Sequence, residues 1–371
     1  MSRRVLVVGA GMAGLATARV LERCGISVGV VERRSEPPGP GFGLNLPGNA
    51  VRALERLGVA HLVSDAGVPV VRREYRSSSG RLLFEMDEAG FWSGIAQSVC
   101  VRRGIVLDAL SQGIEVRRGV ACDRVTLEED AVTVELSDGS EEAYDFVVGA
   151  DGVHSVVRSK VTPAAPTASL MTTGCWRFVT ADPGVDCWTA WTGQGVTLLL
   201  IPVAKDEVYG YAASNRAAAV DEPGWLASAF ISFPTPVVRA LDQVRKSTTP
   251  PYYSRVEEVR MSTWHRGRVV VIGDAAHATG PVWAQGAAMA LEDALVLADL
   301  LAGREDWSTV GEEWEASRRD RVTHVQAATD RMSRLAGLPS WLSHTVAPLA
   351  GPRSYREAYG PLRADPLAAT G

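Results

Sequence analysis

Hydrophobic residues follow two rhythms along this chain, one with the period of a strand and one with the period of a helix. Val5 to Val8 is an unbroken aliphatic run, as in a parallel strand buried on both faces. Gly9-Ala10-Gly11-Met12-Ala13-Gly14 then turns the chain, and helical spacing carries on to Cys24, with Gly25 as the stop. Val28 to Val31 reads as the next strand, completing a β-α-β unit. A second helix is predicted over Gly48 to Leu57, with Asn49 near its start and Gly58 at its end. Two strand-like segments between Val70 and Met86 flank Ser77-Ser78-Ser79-Gly80, a hairpin signal. Arg103 to Leu110 reads as a helix. Strands follow over Val120 to Leu127, Ala131 to Leu136 and Glu142 to Val148, with Asp138-Gly139 in a tight turn.

After Pro163 the rhythm changes. Thr173 to Ser214 alternates like antiparallel sheet, and Trp225 to Val244 reads as a helix. Arg268 to Ile272 is another buried strand, Ala284 to Leu301 is helical, and the chain from Trp307 is mostly helical and rich in charge pairs.

Composition narrows the class. A chain of 371 residues, 46% apolar and 22% charged, has the make-up of a folded protein with a large core. Its net charge of −5 argues against a nucleic-acid or anionic-membrane partner. The basic residues are almost all arginine, with Lys160, Lys205 and Lys246 the exceptions, which reflects a GC-rich genome better than a binding role. Five scattered cysteines show neither metal-ligand nor CxxC spacing, so no metal and no disulfide framework are expected, and a reducing cytoplasm fits. The N-terminal apolar stretch is broken by glycines, unlike a secretory signal, and no apolar run reaches the roughly 20 residues that span a bilayer.

Three motifs carry chemistry. Gly9-x-Gly11-x-x-Gly14 lies between a strand and a helix, where glycines permit a tight turn and close approach to a pyrophosphate, and the helix start offers free N–H groups. Glu32, at the end of the second strand, is placed to accept hydrogen bonds from an adenosine ribose. Asp151-Gly152 ends the strand beginning near Asp145; the pair reads either as a ligand-binding turn or as an ordinary one. Gly273-Asp274-Ala-Ala-His277 follows the Arg268 strand, and its carboxylate suits a polyol. Beyond Pro281, the helix starting near Ala284 would point its positive end at whatever lies against it.

In order and spacing these motifs resemble those of the FAD-dependent aromatic hydroxylases, the single-component flavoprotein monooxygenases with the p-hydroxybenzoate hydroxylase fold. The resemblance runs from about residue 3 to residue 326. Gly43-Leu-Asn-Leu-Pro47-Gly-Asn49-Ala, Glu292-Asp293-Ala294 and Trp314-Glu-x-x-Arg318-x-x-Arg321 agree as well. It implies an α/β fold with a discontinuous FAD-binding domain (residues 1–68, 98–165 and 255–335), an inserted mixed-sheet substrate domain (69–97 and 166–254) and a C-terminal helical tail (336–371). Gly9, Gly11, Met12, Ala13 and Gly14 would cradle the FAD pyrophosphate, with Glu32 and Arg33 near the ribose and Arg103 at the pyrophosphate. Asp151 would serve FAD and the nicotinamide cofactor, and Asp274 would bind the ribityl or pyrophosphate end. Pro281 and the backbone of Gln285, Gly286 and Ala287 would face the isoalloxazine. Many family members have Gly-Gln-Gly-x-Asn where this chain has Ala284-Gln285-Gly286-Ala287-Ala288, a form similar to the salicylate and 3-hydroxybenzoate hydroxylase-like branch.

The implied reaction is hydroxylation of a small aromatic substrate by O₂. NADPH or NADH would reduce FAD, and a flavin C4a-hydroperoxide would deliver the oxygen. An FAD-dependent epoxidase, a prenyl-chain reductase or a non-enzymatic escort protein would share the cofactor motifs. In the middle sheet Arg177 reads either as the partner of a substrate carboxylate or phenolate or as a surface arginine. Tyr209 and Tyr211 share one strand face, and either assists deprotonation of a ring hydroxyl or packs the core. Trp176, Trp188, Trp191 and Trp283 suggest an aromatic-lined pocket, with ordinary core packing as the default reading. Gln285, Arg177 and Tyr211 are the candidate catalytic residues. The chain is expected to be a monomer or a homodimer.

Overall fold

The computed structural model describes residues 3–369 apart from 40, 163–167, 194, 215–221, 223 and 337–339. The change of rhythm at Pro163 and the domain limit drawn at 165–166 lie outside the described residues. The aliphatic run at the start forms the strand Arg4–Val8, deep inside a six-stranded sheet. From one edge to the other its strands are His265–Arg266, Val269–Val271, Phe146–Gly149, Arg4–Val8, Ser27–Glu32 and Arg117–Arg118. All neighbours are parallel except the edge hairpin. Val5, Leu6 and Val7 are fully buried, as continuous aliphatic runs in a covered parallel sheet must be. The helices Met12–Arg23 and Gly286–Gly303 pack on this sheet, and Gly273 sits between them. A Cβ on Gly273 would lie 3.0 Å from Ala13 Cβ and 3.4 Å from Ala290 Cβ.

Glu142 to Val148, expected as one strand, is two. Glu141–Tyr144 joins Val132–Leu136 and Cys122–Leu127 in a three-stranded antiparallel sheet, whereas Phe146–Gly149 enters the central one. Asp145 makes the break. Its N–H donates to Arg4 O at 2.9 Å and its Oδ2 accepts the Arg4 N–H at 2.7 Å, so the chain is pinned between two sheets.

The alternating middle block builds a seven-stranded sheet. Its order is Tyr252–Glu258, Ser169–Ala181, Glu207–Ser214, Val196–Ala204, Trp188–Gly193, Arg72–Ser77 and Leu82–Asp87. Strand alternation gives this sheet two faces. Trp176, Phe178, Trp191, Leu198 and Leu200 bury the outer face under the helix Thr235–Lys246, so Trp176 and Trp191 are core. The inner face carries Val179, Leu199, Ile201, Tyr209 and Tyr211 toward Phe42, Val70 and Cys100. Those residues belong to, or flank, a small sheet of Gly43–Leu46, Val99–Arg102 and Val68–Pro69. The single helix expected over Trp225 to Val244 is broken into Gly224–Ala229 and Thr235–Lys246, with Pro234 as the cap of the second. Proline has no N–H to donate and ends a helix.

The C-terminal helix Ser340–Tyr359 packs back onto both regions. Tyr355 Oη donates to buried Glu88, whose Oε2 lies 2.7 Å from Arg73 Nε, and Tyr359 Oη donates to Trp283 O at 2.6 Å. Trp188 stacks near Tyr75 and under the Arg73 guanidinium.

Candidate active site

The three motifs meet at the carboxyl ends of the parallel strands, where open α/β sheets leave a crevice. Gly9 (φ +105°) donates its N–H to Val31 O, and a Cβ there would lie 2.5 Å from Ala150 O. Gly14 permits the helix to lie against the turn: its Cβ would be 1.8 Å from Gly9 O. Gly11 differs. Its φ is −83°, and a Cβ would meet nothing within 4 Å. Neither backbone strain nor a protein neighbour requires glycine there, so the space beside it suits a ligand that approaches the backbone closely. Met12, Ala13 and Gly14 begin the helix, and their N–H groups have no intrahelical acceptor. Glu32 is oriented by two backbone donors, Ala10 N–H to Oε2 at 2.9 Å and Arg34 N–H to Oε1 at 3.0 Å. Arg33 is exposed beside it.

Asp274 is exposed to the crevice, yet the surrounding protein desolvates its carboxyl and raises its pKa, against the pull of His277 and Arg103. An accessible carboxylate enclosed by protein is the mark of a deep cleft. Arg103 opens the helix Arg103–Ser111; burial lowers its pKa while Asp274 opposes this. Gly286 begins the helix Gly286–Gly303 close to Asp274: a Cβ there would come within 3.9 Å of Oδ1. Two helix N-termini and an arginine therefore converge on one cleft, a donor set that matches a dinucleotide pyrophosphate and an electron-rich ring edge. Asp151 caps the following turn through Oδ2, accepting from Val156 N at 2.7 Å and Val157 N at 3.3 Å. Its Oδ1 is buried without a partner among the described residues, and burial raises its pKa. Arg158 ties this motif to the next, donating to Val153 O and Ala275 O.

Gln285 is not on the cleft wall by its side chain. It is 1% exposed and pairs with Asn49, Nδ2 to Oε1 at 3.0 Å and Nε2 back to Oδ1 at 3.3 Å. Pro281 is exposed, Ala287 is buried, and Ala284 adopts φ +52°, ψ +34°. Ala284 is the one non-glycine residue with positive φ among the described residues. The left-handed turn is therefore held by an alanine, at a cost of about 1–2 kcal/mol. Beneath it lies a polar network that the sequence reading did not assemble. Asn49 also donates to Glu292, Glu292 pairs with Arg318 and Arg321, and Asp293 pairs with Arg318 at 2.8 Å and His277 at 2.7 Å. Gly273 N–H donates to Asp293 Oδ2 at 2.9 Å. Burial alone would raise the Asp293 pKa, but His277, Arg318 and the Gly273 amide bring it down to about 2. Two adjacent acids among the aliphatic residues of a helix whose one other charge is Asp299 were the available signal, because buried charges require partners.

On the inner face of the large sheet, Arg177 lies opposite Tyr211 and donates to Ser254 Oγ, its guanidinium 5.7 Å from the Tyr211 ring centre. Burial alone would lower the Arg177 pKa, but Cys175, Tyr209 and Tyr211 raise it on balance. Burial raises the Tyr211 and Tyr209 pKa values, which favours the neutral phenol, a group that donates or accepts a hydrogen bond. Among the described residues there is no group of His, Cys, Asp and Glu suited to a metal, and no helix long and apolar enough to cross a membrane.

The glycines separate folding from binding. Gly14→Ala should give little folded protein, whereas Gly11→Ala should fold with an unchanged thermal midpoint and bind FAD about tenfold more weakly or worse, read by flavin fluorescence titration. Asp293 gives a pH signature. Its folded pKa is depressed below the usual value of about 3.9, so its contribution to stability is complete above about pH 4 and is lost as pH falls toward 2. Asp293→Asn should cost about 3–5 kcal/mol at neutral pH in denaturant unfolding and flatten that acid limb.

Comparison with known proteins agrees with this architecture. A family model described as FAD binding domain matches residues 2–332. The chain is 33% identical to 2-heptyl-3-hydroxy-4(1H)-quinolone synthase of Pseudomonas aeruginosa, over 96% of each chain. It is 32% identical to 3-amino-4-hydroxybenzoate 2-monooxygenase of Streptomyces cremeus, over 91% of this chain and 88% of that one. The structure of Klebsiella pneumoniae HpxO complexed with FAD and uric acid superposes with a TM-score of 0.85 at 24% identity, covering 99% of this chain and 94% of that one. The chain belongs to the FAD-binding-domain family of FAD-dependent aromatic monooxygenases.

Proposed function

We propose that this flavoprotein uses NADPH or NADH and O₂ to hydroxylate an aromatic or heteroaromatic small molecule, in natural-product tailoring or aromatic catabolism. The observation that carries the reading is the cleft at Asp274: an enclosed but accessible carboxylate, flanked by Arg103 and two helix N-termini, beside a glycine whose missing side chain faces open space. The names of the two relatives above each describe an electron-rich ring, which supports an aromatic substrate.

When bound, FAD supplies the electron transfer and oxygen activation that no side chain of this chain provides. The residues do the rest. Arg103 and the amides of Met12 to Gly14 would hold the pyrophosphate, Glu32 the ribose and Asp274 the ribityl hydroxyls. The free amides of Gly286 to Ala288 face the cleft with the positive end of their helix and would favour a negative ring edge. Gln285 acts from behind, as a positioning residue: its pairing with Asn49 holds that helix start in place. We assign the substrate to the space at Arg177 and Tyr211 on the inner face of the large sheet. Arg177, held by Ser254, would pair there with an anionic substituent, and neutral Tyr211 would keep its proton at Oη and donate it as a hydrogen bond. Leu199, Ile201, Val179 and Phe42 give that space apolar walls that keep water out.

Asp274→Ala should purify with little flavin and bind FAD about 10- to 100-fold more weakly, as expected for loss of a charged hydrogen-bond acceptor; normal occupancy would remove Asp274 from the site. Arg177→Met should keep its flavin while the KM for an anionic aromatic rises about tenfold or more. The reading as a whole is tested by screening aromatic compounds for stimulated nicotinamide oxidation, with mass analysis for products gaining one oxygen atom. A flavin-loaded protein that no aromatic stimulates would refute it.

A further inference from the structure

Asn45 is 7% exposed, and neither its Oδ1 nor its Nδ2 has a hydrogen-bond partner among the described residues. Its neighbour in sequence, Asn49, is fully buried too, yet both of its amide atoms are bonded. Buried amides are almost always paired, so a doubly unpaired one requires an explanation.

Two observations give its direction. Residues two apart on a strand share a face, and a Cβ on Gly43 would strike the Tyr209 ring at 2.4 Å, so the Gly43 and Asn45 face looks at the large sheet. Asn45 lies opposite Cys100 on the paired strand, and Cys100 packs with Tyr209, Trp188 and Ile201 on that same side. Leu46 points the other way, into the main core. Asn45 therefore presents one donor and one acceptor, side by side, on the face of its strand that looks toward Tyr209 and the inner side of the large sheet.

We propose that Asn45 is a two-point reader of a cis-amide edge, a ring N–H adjacent to a ring C=O, on the molecule that fills this cleft. A carboxamide is complementary to such an edge, donor to acceptor and acceptor to donor, and a lone hydroxyl satisfies only part of it. Two occupants carry the edge: a heteroaromatic substrate in its lactam form, and the pyrimidine ring of the isoalloxazine. The inference rests on the flavoenzyme reading above and deepens it.

The test compares the wild-type holoenzyme with Asn45→Leu in two titrations, neither of which requires turnover. FAD binding to the apoprotein is read by flavin fluorescence. Binding of 2-pyridone and of phenol, rings of one size with and without the edge, is read by the shift in flavin absorbance. If the substrate carries the edge, wild type prefers 2-pyridone to phenol by about tenfold or more, and Asn45→Leu loses that preference with unchanged FAD affinity. If the flavin carries it, Asn45→Leu weakens FAD by about tenfold and leaves the preference as it was. An Asn45→Leu protein that matches wild type within twofold in both titrations overturns the proposal. Should Asn45→Leu not fold, Asn45→Asp, which keeps the size and loses the donor, is read in the same way. Failure of the flavoenzyme reading shows separately, as absence of aromatic-stimulated oxidation in a wild type that still binds FAD.

Discussion

The Asp293 carboxylate holds the cleft together. It is fully buried on the helix Gly286–Gly303, and its two oxygens reach the Gly273 amide, His277 and Arg318. Through these bonds the turn carrying Asp274, the helix whose start faces the cleft and the long helix Val310–Ala336 become one unit. A charge placed there without all of its partners would be strongly destabilising, so the arrangement tolerates little rearrangement. Glu292, one residue earlier, does the same through Arg318, Arg321 and Asn49, and Asn49 passes the constraint to Gln285. A site that must orient a large planar group needs such rigidity, because binding energy is otherwise lost in ordering the protein.

Under the proposed function, a substrate also needs a dry surface beside that rigid wall. The seven-stranded sheet divides its labour between faces. Its outer face is ordinary core under Thr235–Lys246, and its inner face mixes aliphatic side chains with Arg177, Tyr209 and Tyr211. The polar residues on the inner face mostly hold one another, with Arg177 bonded to Ser254 and stacked near Tyr211. Asn45, across the gap, does not. The C-terminal helix closes the arrangement from behind, with Tyr359 bonded to the Trp283 carbonyl beside the left-handed turn at Ala284.

The local motifs were legible in the sequence because their physics is local. The run Val5 to Val8, the glycines of the first turn, Glu32 at its strand end and Gly273-Asp274 after theirs each follow from a few neighbouring residues. Where the reading failed, distant contacts decided. Asp145 divides one apparent strand between two sheets because Arg4 bonds it. Asn49 lies at a helix start, as expected, but its side chain serves Gln285 and Glu292, more than two hundred positions away. Trp176 and Trp191 read either as pocket aromatics or as core, and the helix Thr235–Lys246, which covers their face of the sheet, makes them core.

By itself the sequence determined the central parallel sheet and the turns that follow its strands, since each depends on backbone conformation and on the spacing of glycine and acid; the flavin was implied by the resemblance of those motifs to a family. Only the tertiary structure decided which side chains stand free in the cleft. Whether Gln285 or Asn45 keeps an unpaired amide depends on what the fold brings opposite it, and no periodicity encodes that.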